Sequence, residues 1–159
     1  MTKPVLLFAY GNLSRGDDAL GPLLLEHIEG KLDADRIEIL TDFQLQIEHA
    51  LDLQQRELVL FVDASVAGNK AINFTELQPS RDRSYTTHAM SPAAVLDVYR
   101  SIHQHMPPPC FLLSIRAEQM ELGEGLSAQA SQNLLTACAF ALTLLHQCDV
   151  QYWRQQLTA

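Results

Sequence analysis

The chain alternates between short, continuous apolar runs and longer stretches with helical spacing. Val5–Tyr10 (VLLFAY) is apolar throughout and ends at Gly11-Asn12, the pattern of a strand buried on both faces of a sheet. Leu20, Leu23, Leu24, His27 and Ile28 then recur at helical intervals. They predict a helix over about 19–29, with Pro22 in its first turn and Gly30 at its stop. RIEILT (36–41) reads as a second strand and QLQIEHALDL (44–53) as a short helix. LVLFV (58–62) is a third buried strand that stops at Asp63, and the alternation over 72–77 predicts a half-exposed edge strand. Residues 78–88 are polar and turn-rich, the pattern of a surface loop. Ser91 caps and Pro92 opens a helix to about His105, and CFLLSI (110–115) forms the last strand after a run of prolines. Ser127 caps a long C-terminal helix reaching about Gln147.

Strands alternating with helices predict one α/β domain over 1–159, a three-layer α/β/α arrangement around a twisted five-stranded sheet. The sheet is expected to be mostly parallel, with one antiparallel edge strand. In such sheets the ligand crevice lies beyond the carboxyl ends of the strands. The rule selects Asp17 and Asp18, in GNLSRGDDALGP after the first strand, and Asp63 after the third.

Composition adjusts this picture only at its margins. With 159 residues, 47% hydrophobic and 19% charged, the chain can bury a real core. A formal net charge of −8 argues against nucleic acid or an anionic membrane as partner. Cys110, Cys138 and Cys148 form no CxxC pair, so they read as reduced thiols in a cytoplasmic protein. The apolar run 134–145 is too short to span a bilayer, and the N-terminus lacks the long apolar region of a signal peptide. No membrane association is expected.

Two carboxylates converging in one crevice must share a proton or neutralise themselves on a cation. With His88 in the loop TTHAMSP, Asp18 and Asp63 make a donor set suited to nickel or zinc rather than calcium. The plainer alternative is that an aspartate near a helix start is a cap or a dipole partner. Asp17 reads as a cap or a support, and Glu48 and His49 in QIEHAL as further candidates. His27, His103, His105 and His146 are explained by helix positions alone. There is no GxSxG elbow and no HExxH. GNLSRG lacks the Lys-Ser/Thr of a phosphate loop and runs directly into two acids.

The elements in combination carry more than any one of them. GNLSRGDDALGP resembles the GNxxxxDDxxG signature of the [NiFe]-hydrogenase maturation endopeptidases. LVLFVDAS resembles that family's third strand with its Val-Asp-Ala ending. THAMSP resembles its His-bearing segment before a helix, and ELGEGLS (121–127) the stretch that opens its last helix. The resemblance spans residues 5–145. It implies an aspartyl-type endopeptidase in which Asp18, Asp63 and His88 are the metal-contacting and catalytic residues. The implied partner is a nickel-loaded hydrogenase large-subunit precursor, shortened at its C-terminus after nickel insertion. The implied cofactor is nickel presented by that precursor, with zinc or another divalent ion binding in isolation. The expected state is a monomer. Many members carry a Gly-rich loop after the second strand, where this chain reads TDFQLQIEHALDL. That bulkier version resembles the subgroup serving cytoplasmic NAD(P)-linked hydrogenases, and it makes Gln44, Gln46, Glu48 and His49 candidate specificity residues.

Two other classes compete. A phosphoryl-receiver signalling domain also places an acidic pair after strand one and an Asp after strand three, but it needs a Lys after the last strand, where this chain has Arg116-Ala117-Glu118. A non-catalytic escort would bind the precursor without shortening it.

Overall fold

The computed structural model describes residues 2–81 and 90–158. Five strands form one sheet: β1 (Val5–Tyr10), β2 (Ile37–Asp42), β3 (Leu58–Ser65), β4 (Ile72–Glu76) and β5 (Cys110–Arg116). Their spatial order is β2-β1-β3-β5-β4. All neighbours pair in parallel except β4, which runs antiparallel along β5 at one edge. The helices are α1 (Leu20–Ile28), α2 (Pro92–His103), α3 (Ala128–His146) and α4 (Val150–Gln155).

Alternation along the strands divides the core in two. Val5, Leu7 and Ala9 of β1 face α1 and α3, in a cluster that also takes Leu60, Val62, Leu113 and Trp153. Leu6 and Phe8 face the opposite side, with Val59, Phe61, Leu53 and α2 residues Val95, Leu96 and Tyr99. The three-layer expectation and the antiparallel edge strand both hold. Continuous apolar runs were the right signal because β1 and β3 are covered on both faces.

Several boundaries differ from the sequence reading. β3 does not stop at Asp63 but continues to Ser65, because β5 offers ladder partners as far as Arg116. The first helix is preceded by a 3₁₀ turn over Gly16–Ala19, and the segment Ile47–Leu53 is 3₁₀ rather than α-helical. α2 ends at His103, with Gln104 in a left-handed conformation. The caps were legible: Ser91 Oγ accepts from the Ala94 amide and Ser127 Oγ from the Ala130 amide.

The helix α4 was not expected. It forms because Asp149 caps it and Trp153 anchors it. The indole is fully buried against Phe74 and Phe111, and its Nε1 donates to the carbonyls of Leu144 and Gln147. Arg154 forms a two-pronged pair with Glu76, and Thr158 exchanges hydrogen bonds with the backbone of Phe74. The C-terminal segment thereby covers the outer edge of β4. Cys110 and Cys138 are buried, and burial pushes both thiols up, which makes them inert. Among the described residues no helix is long and apolar enough to cross a membrane.

Trp153→Ala removes a fully buried ring that joins α4 to the edge strand. Chemical denaturation should show a loss of about 3–5 kcal/mol, with the midpoint shifted and the denaturant slope little changed.

Candidate functional site

The parallel register builds a polar row across the carboxyl end of the sheet. Tyr10 pairs with Asp42, Asp63 pairs with Ser114, and Ala9 pairs with Val62, so Tyr10 and Asp63 are the next cross-strand neighbours. Asp42, Tyr10, Asp63 and Ser114 therefore follow one another across β2, β1, β3 and β5, on the face shared with Phe8 and Phe61. Each replaces the apolar residue that continuing the core would require.

Asp63 sits at the centre of the row. Its Oδ2 accepts a hydrogen bond from the Tyr10 hydroxyl at 3.0 Å. Its Oδ1 is buried and has no hydrogen-bond partner among the described residues. Ser114 lies near enough to favour the charged form, without a hydrogen bond of good geometry. Burial dominates and pushes the carboxyl up to about 6, against the help of Tyr10 and Ser114, and the charge of Asp18 adds to the rise. Burial, followed by the adjacent Asp63 charge, holds the Tyr10 phenol well above its ordinary value, so it remains a donor.

Asp18 reaches this row from the strand-to-helix turn. Its Oδ2 accepts from the Asn12 amide at 2.8 Å. Gly11 permits the turn to fold back, since a Cβ there would lie 2.0 Å from the Asp18 carbonyl oxygen. Gly21 lets α1 approach the sheet ends: its Cβ would meet the Tyr10 carbonyl at 2.7 Å.

Asp17 points elsewhere. It is fully buried and accepts from the amides of Glu118, Gln119 and Ser127 and from the Ser127 hydroxyl. Burial works to raise its pKa, but these donors outweigh it and hold the carboxyl below the usual carboxylate range. The Asp17 amide donates in turn to the Gln119 carbonyl at 2.7 Å. Asp17 is thus a clamp between the first turn and the loop that leads into α3.

The remaining candidates separate clearly. His49 is buried, with Nδ1 accepting from the Gln46 amide and Nε2 facing Asp42 Oδ2 at 3.1 Å. Those contacts fix it as a support for β2. Glu48 is exposed, and Gln44 and Gln46 are half-buried. His88 lies outside the described residues. The description resumes at Met90, whose amide donates to the Leu45 carbonyl. Tyr10 was missed by sequence reasoning. Its signal was a hydroxyl-bearing residue at the last position of an otherwise apolar strand.

Two carboxylates, one with an unpartnered buried oxygen, suit a divalent cation but supply only part of its coordination shell. Among the described residues no group of three or more His, Cys, Asp and Glu side chains could hold a metal ion.

Fold and site together define a class of architecture, an α/β domain with acids at the carboxyl ends of β1 and β3. Solved structures share the fold. A [NiFe] hydrogenase maturation protease, HycI from Thermococcus kodakarensis, is 20% identical over 92% of this chain and 94% of that one, with a TM-score of 0.70. The hydrogenase maturating endopeptidase HybD from E. coli is 23% identical over 91% and 93%, with a TM-score of 0.71. An endopeptidase from Escherichia coli is 21% identical over the same shares, with a TM-score of 0.72. At these identities the likeness establishes a common fold. No protein-family model and no curated sequence matches the chain.

Asp63 and Asp17 should respond oppositely to substitution. The folded state holds the Asp63 proton more tightly than the unfolded chain does. Its contribution to stability is therefore present at acid pH and lost as pH rises through about 6. Asp63→Asn should raise unfolding stability at neutral pH by about 1–3 kcal/mol, with the gain vanishing below about pH 4. Asp17 stabilises above the ordinary carboxylate pKa and loses that contribution as pH falls through its lower folded value. Asp17→Asn should lose about 2–4 kcal/mol at neutral pH, and denaturation across a pH series checks both signs.

Proposed function

We propose that this protein is an endopeptidase of hydrogenase maturation, which removes the C-terminal extension from a nickel-loaded large-subunit precursor. The observation that carries the reading is Asp63, whose Oδ1 is buried and unpartnered among the described residues and whose carboxyl feels the charge of Asp18. It stands on a fold shared with proteins described as hydrogenase maturation proteases.

The chemistry follows from the two carboxylates. Asp18 and Asp63, joined by His88, engage the nickel that the precursor carries, and so bring the scissile peptide against the sheet ends. A site with so few ligands fits this task because tight permanent binding would withdraw the metal from its owner. A carboxylate poised near neutrality can take a proton from water as water attacks the scissile carbonyl. The carbon–nitrogen bond then breaks, the proton passes to the leaving amine, and a new carboxylate remains on the shortened subunit. The Tyr10 hydroxyl holds Asp63 Oδ2 and fixes the carboxylate's orientation, leaving Oδ1 without a partner among the described residues.

The signalling alternative loses ground on topology. Receiver-type doubly wound sheets run 2-1-3-4-5, whereas here the order is 2-1-3-5-4 with β4 antiparallel. In the proposed reading the chain works in the cytoplasm as a monomer. The bulky 44–53 segment supports the narrower proposal that the substrate belongs to an NAD(P)-linked hydrogenase.

Mass measurement of a nickel-loaded precursor before and after incubation should show loss of a C-terminal peptide, and no loss from the nickel-free form. Asp18→Asn and Asp63→Asn should each slow processing by about 100-fold or more. Normal processing by both variants would overturn the assignment. Binding without shortening would identify an escort instead.

A further inference from the structure

The sheet has two edges, and they are finished differently. The outer side of β4 is closed by the C-terminal segment through Thr158. β2 is the other edge strand. The Arg36 and Asp42 carbonyls accept from Val5 and Gly11, so the even-numbered residues of β2 direct their backbone toward β1. By alternation, Ile39 and Thr41 direct theirs outward. Among the described residues nothing pairs with them.

A groove of about 480 Å³ lies beside this edge, between β2 and α1. Leu13, Leu25, Ile39 and Phe43 give it an apolar floor and rim, and Leu13 and Phe43 are 56% and 72% exposed. One end opens at Gly11 and at Asp42, the outermost member of the polar row across the sheet ends, beside the turn that carries Asp18. The other end carries Glu26 and Glu29, both exposed and in no ion pair among the described residues.

We infer that this groove and the open β2 edge bind the precursor's C-terminal extension as an added strand, with an apolar side chain seated against Leu13, Ile39 and Phe43 and a Lys or Arg beside Glu26 and Glu29. This rests on the protease reading and adds a substrate subsite to it. The two unpaired residues are the ones that line the groove, so backbone pairing and side-chain seating serve one peptide. Charge selects its composition. Two uncompensated acids at the distal end favour a basic residue and disfavour an acidic one. Distance sets the spacing. The helical run from Pro22 to Glu29 is about 10 Å long, which extended chain covers in about three residues.

The test uses acetylated, amidated hexapeptides containing Leu-x-x-Lys or Leu-x-x-Glu and the isotope-labelled full chain. The Lys peptide should shift and protect the amides of Ile39 and Thr41, and should bind about three- to tenfold tighter than the Glu peptide. Glu26→Lys/Glu29→Lys should invert that preference, and with the nickel-loaded precursor should raise KM more than it lowers kcat. Absence of protection at Ile39 and Thr41, or an unchanged preference in the charge-reversed variant, overturns the groove proposal. Failure of the protease reading looks different: the groove binds the peptide, yet the wild-type chain leaves the precursor intact.

Discussion

The carboxylate of Asp17 is the constraint on which the site is built. It is taken wholly out of water beside another acid, and it remains charged only because three amides and a hydroxyl converge on it. Those donors belong to Glu118, Gln119 and Ser127, so one side chain ties the turn after β1 to the loop after β5 and to the cap of α3. Ser127 serves both ends of the link, donating to Asp17 while accepting from the Ala130 amide. With the turn held on that side, its next residue is directed toward the sheet ends. Two adjacent aspartates thus have opposite tasks because a 3₁₀ turn sends consecutive side chains in different directions.

Asp63 shows the opposite electrostatic choice. Asp17 is given enough donors to be charged, whereas Asp63 is given one hydroxyl bond and a like-charged neighbour. The cost of ionising Asp63 is stability that a cation or a proton would return. The fold tolerates it because β1, β3 and β5 are pinned by both cores up to the residue before the polar row. Under the proposed function, a substrate that brings its own metal would relieve the repulsion on arrival, and that relief would add to its binding energy.

The sequence disclosed the architecture because local and global signals agreed. Continuous apolar strands, serine caps at Ser91 and Ser127, and the alternation at 72–77 each had one reading. What it hid depended on pairing between distant segments. β3 looked finished at Asp63 because the continuous apolar run ends there, yet β5 carries the ladder to Ser65. α4 is too short to announce itself by periodicity, and its anchor Trp153 acts only against Phe74 and Phe111. Asp18 and Asp63 could be placed at the same end of the sheet from topology alone, since one follows β1 and the other lies near the end of the adjacent β3. Tyr10 could not be singled out in this way, because a terminal tyrosine in an apolar strand becomes informative only when the register sets it beside Asp63. The clamp by Asp17 was likewise invisible: its partners stand about a hundred residues away, as backbone amides that carry no residue signature.

Under the proposed function, the open β2 edge and the acidic pair form two weak contacts that a single precursor must satisfy together. An added strand of a few residues is a modest binder, and so is a nickel ion seen by two carboxylates and one imidazole. Joined in one substrate, the second contact becomes intramolecular and gains from effective concentration. Either feature alone is insufficient: a basic-apolar peptide without nickel lacks the metal, and nickel held by another protein lacks the strand. Such an arrangement would discriminate by coincidence rather than by affinity. The same logic accounts for the asymmetry of the sheet. The edge at β4 is sealed by the chain's own C-terminal segment, while at the β2 edge the backbone groups of Ile39 and Thr41 have no partner among the described residues.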